Sequence, residues 1–221
     1  MGQALLRLTG EREDLHVVAA ASRTALDALP TASRWISTAS LDEAPEFDVA
    51  IDFSLPDAFD SALALCRARG AAFVSGTTGL SDVQRSTLEQ AAASIPVVWA
   101  ANFSLGVAVL SDLVQRAAKT LEGWDCDIVE SHHVHKKDAP SGTALALGAR
   151  AEEAGARPRY ASLRAGDIVG EHLVQFATAG ERIELVHRAT SRDVFARGAL
   201  HVARRLHGRA PGAYRVADLL D

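Results

Sequence analysis

Residues Glu130–Leu145 have the sequence E-S-H-H-V-H-K-K-D-A-P-S-G-T-A-L, and the rest of the chain is interpreted from this segment. The alternating run Trp124–Val129 before it predicts a β-strand, and the Ala/Leu-rich run Ala144–Glu153 after it predicts an α-helix. Ser141 suits the N-cap of that helix, because a serine hydroxyl can accept a hydrogen bond from the first turn. The strand therefore delivers three histidines and two lysines to a loop that ends at a helix N-terminus.

This loop has the chemistry of an anion site that also exchanges a proton. The first N–H groups of a helix, here those of Gly142 and Thr143, favour a negatively charged ligand. The chain contains only three lysines, and two of them, Lys136 and Lys137, lie beside the histidines. A histidine titrates near neutral pH, so it can hold a proton and release it. We expect the loop to bind carboxylates and to donate a proton.

Two other interpretations of the loop are a metal site and a solvated basic turn. His132, His133 and His135 are possible ligands of a metal ion. Metal-binding histidines are usually joined by a carboxylate or thiolate at suitable spacing, and the flanking lysines would repel a cation, so we expect no metal. The solvated turn is the plainer alternative, and the neighbouring helix start argues against it.

The same loop resembles the signature of the dihydrodipicolinate reductase family, E-x-H-H-x-x-K-x-D-x-P-S-G-T-A, at every fixed position. The resemblance implies that His132 is the general acid, and that Lys136 assists proton delivery and carboxylate binding. It assigns substrate-binding positions to His133, Gly142 and Thr143. It also implies hydride transfer from NAD(P)H to 4-hydroxy-tetrahydrodipicolinate, a small dicarboxylate, in the diaminopimelate route to lysine.

Composition limits the classes of partner. The net charge of −5 argues against nucleic acid or an anionic membrane as the main partner. No apolar run approaches the roughly 20 residues that span a bilayer, and no signal peptide is recognisable. The two cysteines, Cys66 and Cys126, are far apart in the sequence, which favours free thiols in a reducing compartment. We therefore expect a cytoplasmic protein.

The first part of the chain alternates apolar runs with helical patterns. Helices are predicted from Pro56 to Arg69 and, capped by Ser81, to about Ser94. Buried strands are predicted at Leu15–Ala21, Phe47–Phe53, Ala71–Ser75 and Pro96–Ala100. This alternation predicts an α/β fold, a Rossmann-like parallel sheet covered on both faces.

Ligands of such sheets bind beyond the carboxyl ends of the strands. Polar loops at strand ends are also ordinary turns, but several in series indicate a nucleotide groove. The family resemblance assigns two of them to the cofactor, namely Gly76, Thr77 and Thr78, and Ala100, Ala101, Asn102 and Phe103. Ser22 replaces the acidic residue that would bind the ribose hydroxyls of NADH, and Arg23 suits a 2′-phosphate. We therefore expect NADPH to be preferred over NADH.

The later part of the chain predicts a smaller α+β domain with an open mixed or antiparallel sheet. Apolar and polar residues alternate in Tyr160–Ala165, Val169–Ala179 and Glu181–Arg188, and Ala179-Gly180 suits a hairpin turn. The run Arg164–His172 resembles R-A-G-D-I-V-G-E-H of the same family, which implies a homotetramer assembled through this sheet. We assign residues 1–104 and 193–221 to the dinucleotide-binding domain and 105–192 to substrate binding and oligomerisation.

The remaining histidines and the C-terminal segment are given structural roles. Asp193–His207 predicts an amphipathic helix, and Tyr214–Leu220 predicts a final short helix. Histidines outside the signature loop are expected to be structural or to lie on the surface, namely His172, His187, His201 and His207.

The N-terminus departs from the Rossmann pattern, which begins with a strand and a G-x-x-G-x-x-G loop. Met1–Leu6 resembles only the end of the family's G-R-M-G segment, so we expect a late start site or a truncated product. The missing strand would be central in the sheet, and its absence is expected to expose strand edges and remove the pyrophosphate cradle. A non-catalytic, oligomerising binding protein therefore stays open. A different dinucleotide enzyme, such as an amino-acid dehydrogenase, is disfavoured by the complete signature.

Overall fold

The computed structural model describes residues 1–26, 28–30 and 33–221. The chain divides into two compact units, one formed by Met1–Phe103 with Phe195–Asp221 and the other by Ser104–Val194. Among the described residues, no helix combines the length and the apolar character that crossing a membrane requires.

The first unit is an α/β unit in which every strand pair is parallel. Its elements, in chain order, are α1 (Gly2–Thr9), β1 (Ala19–Ser22), β2 (Arg34–Ser37), β3 (Val49–Asp52), α2 (Pro56–Arg69), β4 (Ala72–Ser75), α3 (Asp82–Ala91), β5 (Pro96–Trp99), α6 (Asp193–Leu206) and β10 (Gly212–Tyr214). The described strands form two sheets, β1-β2 and β10-β5-β4-β3. The Rossmann-like parallel fold is therefore confirmed, with the strands divided between two sheets.

Local sequence explains the helices of this unit. Pro56 occupies the first turn of α2, and Gly70 ends it with a left-handed φ of 66°. Ser81 and Gln84 form a capping box at the start of α3. The apolar sides of these helices pack on β4 and β5 around Phe59, Leu63, Phe73, Leu88, Ile95 and Val97. The predicted helices at these positions are confirmed.

In this unit, one predicted strand has different bounds, one strand was not predicted, and one predicted helix is shorter than expected. The predicted buried strand Leu15–Ala21 is the shorter β1, Ala19–Ser22, which is only partly buried. The strand β2 was not predicted, because two of its four residues are exposed and only Ile36 is buried. The predicted final short helix Tyr214–Leu220 is present as a shorter 3₁₀ helix, Val216–Leu219, and Tyr214 before it belongs to the edge strand β10. A three-residue strand is too short to show its own periodicity, and β10 depends on pairing with β5.

The second unit carries a four-stranded mixed sheet with the order β7-β6-β8-β9. Its elements are α4 (Leu105–Thr120), β6 (Asp125–His132), α5 (Gly142–Glu153), β7 (Pro158–Arg164), β8 (Gly170–Thr178) and β9 (Glu181–Ala189). Strand β6 is parallel to β7 and antiparallel to β8, and β8 is antiparallel to β9. The predicted α+β unit with a mixed sheet is confirmed.

One face of this sheet forms the core of the second unit. Ile128, Val174 and Phe176 project from the strands and pack among apolar side chains that include Val114 of α4 and Leu147 of α5. The hairpin between β8 and β9 has the predicted two-residue turn, because Thr178 pairs with Glu181 and Gly180 has a φ of 91°. The opposite face carries the side chains of the alternate residues.

Candidate active site

The alternation of β6 brings two polar side chains onto the face of the sheet that carries the core. Beyond the apolar positions of this strand, Glu130 is completely buried and His132 is 8% exposed. In the neighbouring strands, Arg164 of β7 is paired with His132, and His172 of β8 is paired with Glu130. The buried face of the sheet thus changes from apolar to ionic at the end of β6.

The Glu130 carboxylate is the centre of this ionic group. Arg164 donates to both oxygens, with Nη2–Oε1 at 2.7 Å and Nη1–Oε2 at 2.9 Å. The Ser141 backbone N–H donates to Oε1 at 3.2 Å, and His132 Nδ1 lies 2.5 Å from Oε2. Burial alone raises the pKa of Glu130, but hydrogen bonds from Arg164, Ser162 and His132 outweigh it and lower the pKa to about 2. Glu130 is therefore ionised at neutral pH.

His132 is held on one side by Glu130 and has space on the other. A Cβ atom at residue 170 would lie 3.0 Å from His132 Nε2, so Gly170 leaves room beside that nitrogen. Burial lowers the pKa of His132, the Glu130 carboxylate opposes this shift, and the charges of Lys136 and Arg164 add to it. A proton on His132 is therefore held less tightly than on an exposed histidine, which suits a proton donor.

Lys136 lies close enough to His132 and His172 for its charge to lower the pKa of both rings. Its Nζ atom lies 2.9 Å from Oδ1 of Asp138, whose side chain is 56% exposed. The hydrogen bond from Lys136, and a weaker one from the backbone of Gly142, lower the pKa of Asp138. The Asp138 partner is exposed, and an ion pair in contact with solvent contributes little to stability, so a carboxylate ligand can compete for Lys136.

The start of α5 is ordered as the sequence predicts. Ser141 is buried and caps the helix, because its Oγ accepts a hydrogen bond from the Ala144 N–H at 3.2 Å. Gly142 is exposed, and a Cβ atom there would meet no atom within 4 Å. Thr143 follows in the same turn and is partly buried. The first helical turn is thus open to an approaching anion at Gly142.

His133 and His135 lie at a different part of the loop. They line a cavity of about 380 Å³ together with Gly166, Asp167, Val169 and Arg192. The two imidazole rings are 6.2 Å apart, and His133 Nε2 lies 3.2 Å from Nη2 of Arg192. The structure therefore brings His132, Lys136 and Gly142 together, and it places His133 beside a further cation. No cluster of three or more metal-ligating side chains occurs in the described part of the chain.

The cofactor loops predicted in the first unit are held by a buried carboxylate at the end of β3. Asp52 Oδ2 accepts hydrogen bonds from Thr77 Oγ1 at 2.7 Å and from Ser75 Oγ at 2.9 Å. The Trp99 indole N–H donates to the Thr77 carbonyl oxygen at 2.8 Å. Thr77 therefore positions its loop, and Gly76 and the exposed Thr78 leave that loop accessible to a ligand.

The loop after β5 shows the same division between buried and accessible residues. Phe103 is 1% exposed, and its ring meets Phe53 edge to face at 5.5 Å. Ala101 is exposed, whereas Ala100 and Asn102 are partly buried. Gly76 lies against the Phe53 ring so closely that a Cβ atom there would collide with it. The two predicted loops are thus joined through aromatic packing, and their outer residues can meet a nucleotide.

Arg23 is exposed in the bend that follows β1. The preceding residue, Ser22, accepts a hydrogen bond from the Trp35 indole N–H at 2.9 Å and donates to the Thr24 carbonyl oxygen. Trp35 is 38% exposed and was not predicted as part of a site. A cation and an aromatic ring therefore flank the end of β1, which suits the adenosine end of a nucleotide.

Further side chains of the site were not predicted from the sequence. They are Asp52, Glu130, Arg164, His172 and Arg192. The position of Glu130 two residues before His132 was a usable signal, because residues i and i+2 of a strand share a face. The others come from distant parts of the chain, so their position beside the site depends on tertiary structure.

A parallel sheet of the nucleotide-binding type, in one chain with a mixed sheet that carries His132 beside a lysine and a helix N-terminus, is typical of a pyridine-nucleotide oxidoreductase. Family models described as "Dihydrodipicolinate reductase, N-terminus" and "Dihydrodipicolinate reductase, C-terminus" match residues 1–103 and 106–220. The chain belongs to the dihydrodipicolinate reductase family.

Relatives in sequence and in structure agree with this assignment. A 4-hydroxy-tetrahydrodipicolinate reductase of Stenotrophomonas maltophilia is 67% identical over 100% of this chain and 93% of the relative. One of Xanthomonas campestris is 62% identical with the same coverage. Dipicolinate-bound dihydrodipicolinate reductase from Paenisporosarcina sp. TG-14 has the same fold, with a TM-score of 0.82 at 20% identity over 97% of this chain and 92% of that chain.

Proposed function

We propose that this chain catalyses the NAD(P)H-dependent reduction of 4-hydroxy-tetrahydrodipicolinate to tetrahydrodipicolinate in the diaminopimelate route to lysine. The observation that carries the proposal is that Glu130 contacts both His132 and the Ser141 N–H at the start of α5, while Lys136 pairs with Asp138 in the loop between them. The relatives from Stenotrophomonas and Xanthomonas are named for this reaction.

In this proposal each residue of the site has a separate task. Lys136 and the N–H groups of Gly142 and Thr143 bind one substrate carboxylate, and His133 binds the other end of the dicarboxylate. The bound nicotinamide supplies the hydride. The negative charge that the hydride brings to the substrate is neutralised by a proton from His132 Nε2, and replacement of the 4-hydroxyl by hydrogen releases water overall. Bulk solvent then returns a proton to His132.

The experiment that tests these roles compares three variants. His132→Gln is expected to lower kcat by about 10²–10⁴ with a smaller effect on KM, the range for a lost general acid. Lys136→Ala is expected to raise the KM for the dicarboxylate and lower kcat together. His207→Gln is the control, because this side chain is 62% exposed and lies in the first unit. Wild-type kcat in His132→Gln would remove the general-acid role.

The same proposal includes a preference for NADPH over NADH. Arg23 is exposed after β1, and Ser22 stands where an acid would repel a 2′-phosphate. Nucleotide contacts are assigned to Arg23 and to the two loops, Gly76, Thr77 and Thr78 and Ala100, Ala101, Asn102 and Phe103. We expect Arg23→Ala to reduce kcat/KM for NADPH about tenfold or more while leaving NADH unchanged. A higher wild-type kcat/KM for NADH would contradict this preference.

We also infer that the protein is a cytoplasmic homotetramer that assembles through the outer face of the mixed sheet. An apolar row crosses all four strands on that face, formed by Ala161, Val129, Leu173 and Val186 in register. Both cysteines are buried and unpaired, which fits a reducing compartment. Leu173→Glu is expected to yield smaller species in light scattering, and an unchanged mass would exclude this face.

A binding protein without catalytic activity is the second candidate. The observation that favours it is the division of the described strands of the first unit into two sheets, β1-β2 and β10-β5-β4-β3. Titration of the protein with NADPH decides between the two functions. Saturable binding together with turnover supports the reductase, and the absence of NADPH binding supports the second candidate.

A further inference from the structure

Glu130 is a fully buried carboxylate on a strand whose inward positions are otherwise mainly apolar. A buried charge destabilises a fold unless it is paired and hydrogen-bonded. Here both oxygens are used, one by Arg164 and the Ser141 N–H and the other by Arg164 and His132. An apolar residue would fill this position at less cost, so the geometry of these bonds suggests a role beyond packing.

The bond to His132 determines which ring nitrogen carries hydrogen. An ionised carboxylate only accepts hydrogen bonds, so Nδ1 of His132 must be the donor in the contact with Oε2. Neutral His132 is then protonated at Nδ1, and its Nε2 carries the lone pair. The proton that His132 gains and loses is therefore the one on Nε2, beside Gly170.

The other oxygen of Glu130 reaches the anion-binding end of α5. It accepts from the backbone N–H of Ser141, the residue that caps this helix. Arg164, which holds both oxygens, also donates from Nη2 to the Asp138 carbonyl oxygen at 2.6 Å. One carboxylate thus connects the ring of His132, the loop and the first turn of the helix.

We propose that Glu130 is a positioning residue that holds His132 in the Nδ1–H tautomer and aligns its Nε2 with the anion site at the start of α5. This inference rests on the proposed function, in which His132 donates the proton. Four groups face the His132 ring from the surrounding elements, namely Glu130, Arg164, Lys136 and His172. Only the Glu130 carboxylate favours the imidazolium form, so its removal should make His132 lose its proton at lower pH.

The test is Glu130→Gln in the full-length protein, with kcat measured from pH 5.5 to 9. We expect kcat at pH 7.5 to fall roughly 10- to 100-fold, with the KM for NADPH unchanged. The alkaline limb of the kcat profile should move to lower pH by about one unit, because the protonated donor is lost earlier. Glu130→Asp keeps the charge, so it should retain the wild-type limb while kcat falls through lost alignment.

The matched control is Glu171→Gln, which removes a partly exposed acid of β8 whose partner is Arg188. This control variant is expected to leave kcat and the alkaline limb of the kcat–pH profile unchanged. Wild-type kcat and an unshifted limb in Glu130→Gln, combined with inactive His132→Gln, would overturn the positioning role and leave the proposed function intact. Active His132→Gln would instead refute the proposed role of His132.

A second measurement needs no variant and so does not depend on whether Glu130→Gln folds. Histidine-selective ¹⁵N NMR of the wild-type protein above the pKa of His132 reports which ring nitrogen is protonated. We expect the His132 signals, assigned by their loss in His132→Gln, to show a protonated Nδ1 and an unprotonated Nε2. A neutral ring protonated at Nε2 would overturn the inference.

Discussion

His172 should make the stability of the protein depend on pH between 6.5 and 4. The side chain is 3% exposed, and within the described part of the chain its Nδ1 atom has no hydrogen-bond partner. Burial, followed by the charges of His132 and His187, lowers the pKa of His172 from 6.5 to about 4. Below pH 6.5 the unfolded chain therefore binds a proton that the folded chain does not.

The sign and size of the effect follow from this difference in pKa. The stabilisation from neutral His172 is complete above pH 6.5 and is lost as the pH falls towards 4. For pKa values of 6.5 and about 4, the loss at pH 5 is about 2 kcal/mol. Glu130, with a pKa of about 2, loses its contribution only below pH 4.5, outside this range.

The assay is urea unfolding at pH 7.5 and pH 5.0 at one protein concentration, since assembly adds to apparent stability. We expect His172→Gln to lose about 2 kcal/mol less than the wild type between the two pH values. The variant should be less stable at pH 7.5, because the contact of His172 Nε2 with Ser141 Oγ at 3.3 Å is altered. His135→Gln, an exposed histidine of the same unit, is the control. Equal losses in wild type and His172→Gln would show that His172 does not cause the pH dependence.

Two further substitutions each test one contact, the first in the second unit and the other in the first unit. Gly148→Ala adds a methyl group that collides with the Tyr160 hydroxyl. The free energy of unfolding, measured by urea titration, should therefore fall by about 1–3 kcal/mol. An unchanged free energy would contradict this contact. Thr77→Val removes the hydroxyl that donates to Asp52, so the KM for NADPH should rise about fivefold with a smaller change in kcat. A KM equal to that of the wild type would show that this bond does not shape the cofactor loop.

Those parts of the fold that depend on local pattern were predictable from the sequence. All four residues of β4 are buried, so its apolar run was visible, and the cap of α3 at Ser81 is a local signal. By contrast, β2 and β10 are defined by pairing with strands distant in sequence. Pairing of that kind depends on tertiary structure, and short or half-exposed strands carry little periodicity to indicate it.

The candidate site also contains residues that a local motif could predict and residues that only strand pairing brings together. His132, Lys136 and Gly142 lie within eleven consecutive residues, so their chemistry could be predicted as one motif. His172 was expected to be structural or exposed, and the structure places its ring 5.3 Å from that of His132. This neighbour comes from β8 through antiparallel pairing with β6, which no local pattern in the sequence could indicate.

The pleat of β6 explains why the core and the site share one strand. Inward positions recur every second residue, so the register that buries Ile128 in the core also aims Glu130 and His132 into the ionic group. A shift of one residue in this strand would expose the core and turn both polar side chains outward together. Apolar packing of β6 therefore fixes the position of His132, and a core substitution such as Ile128→Ala should lower kcat as well as stability.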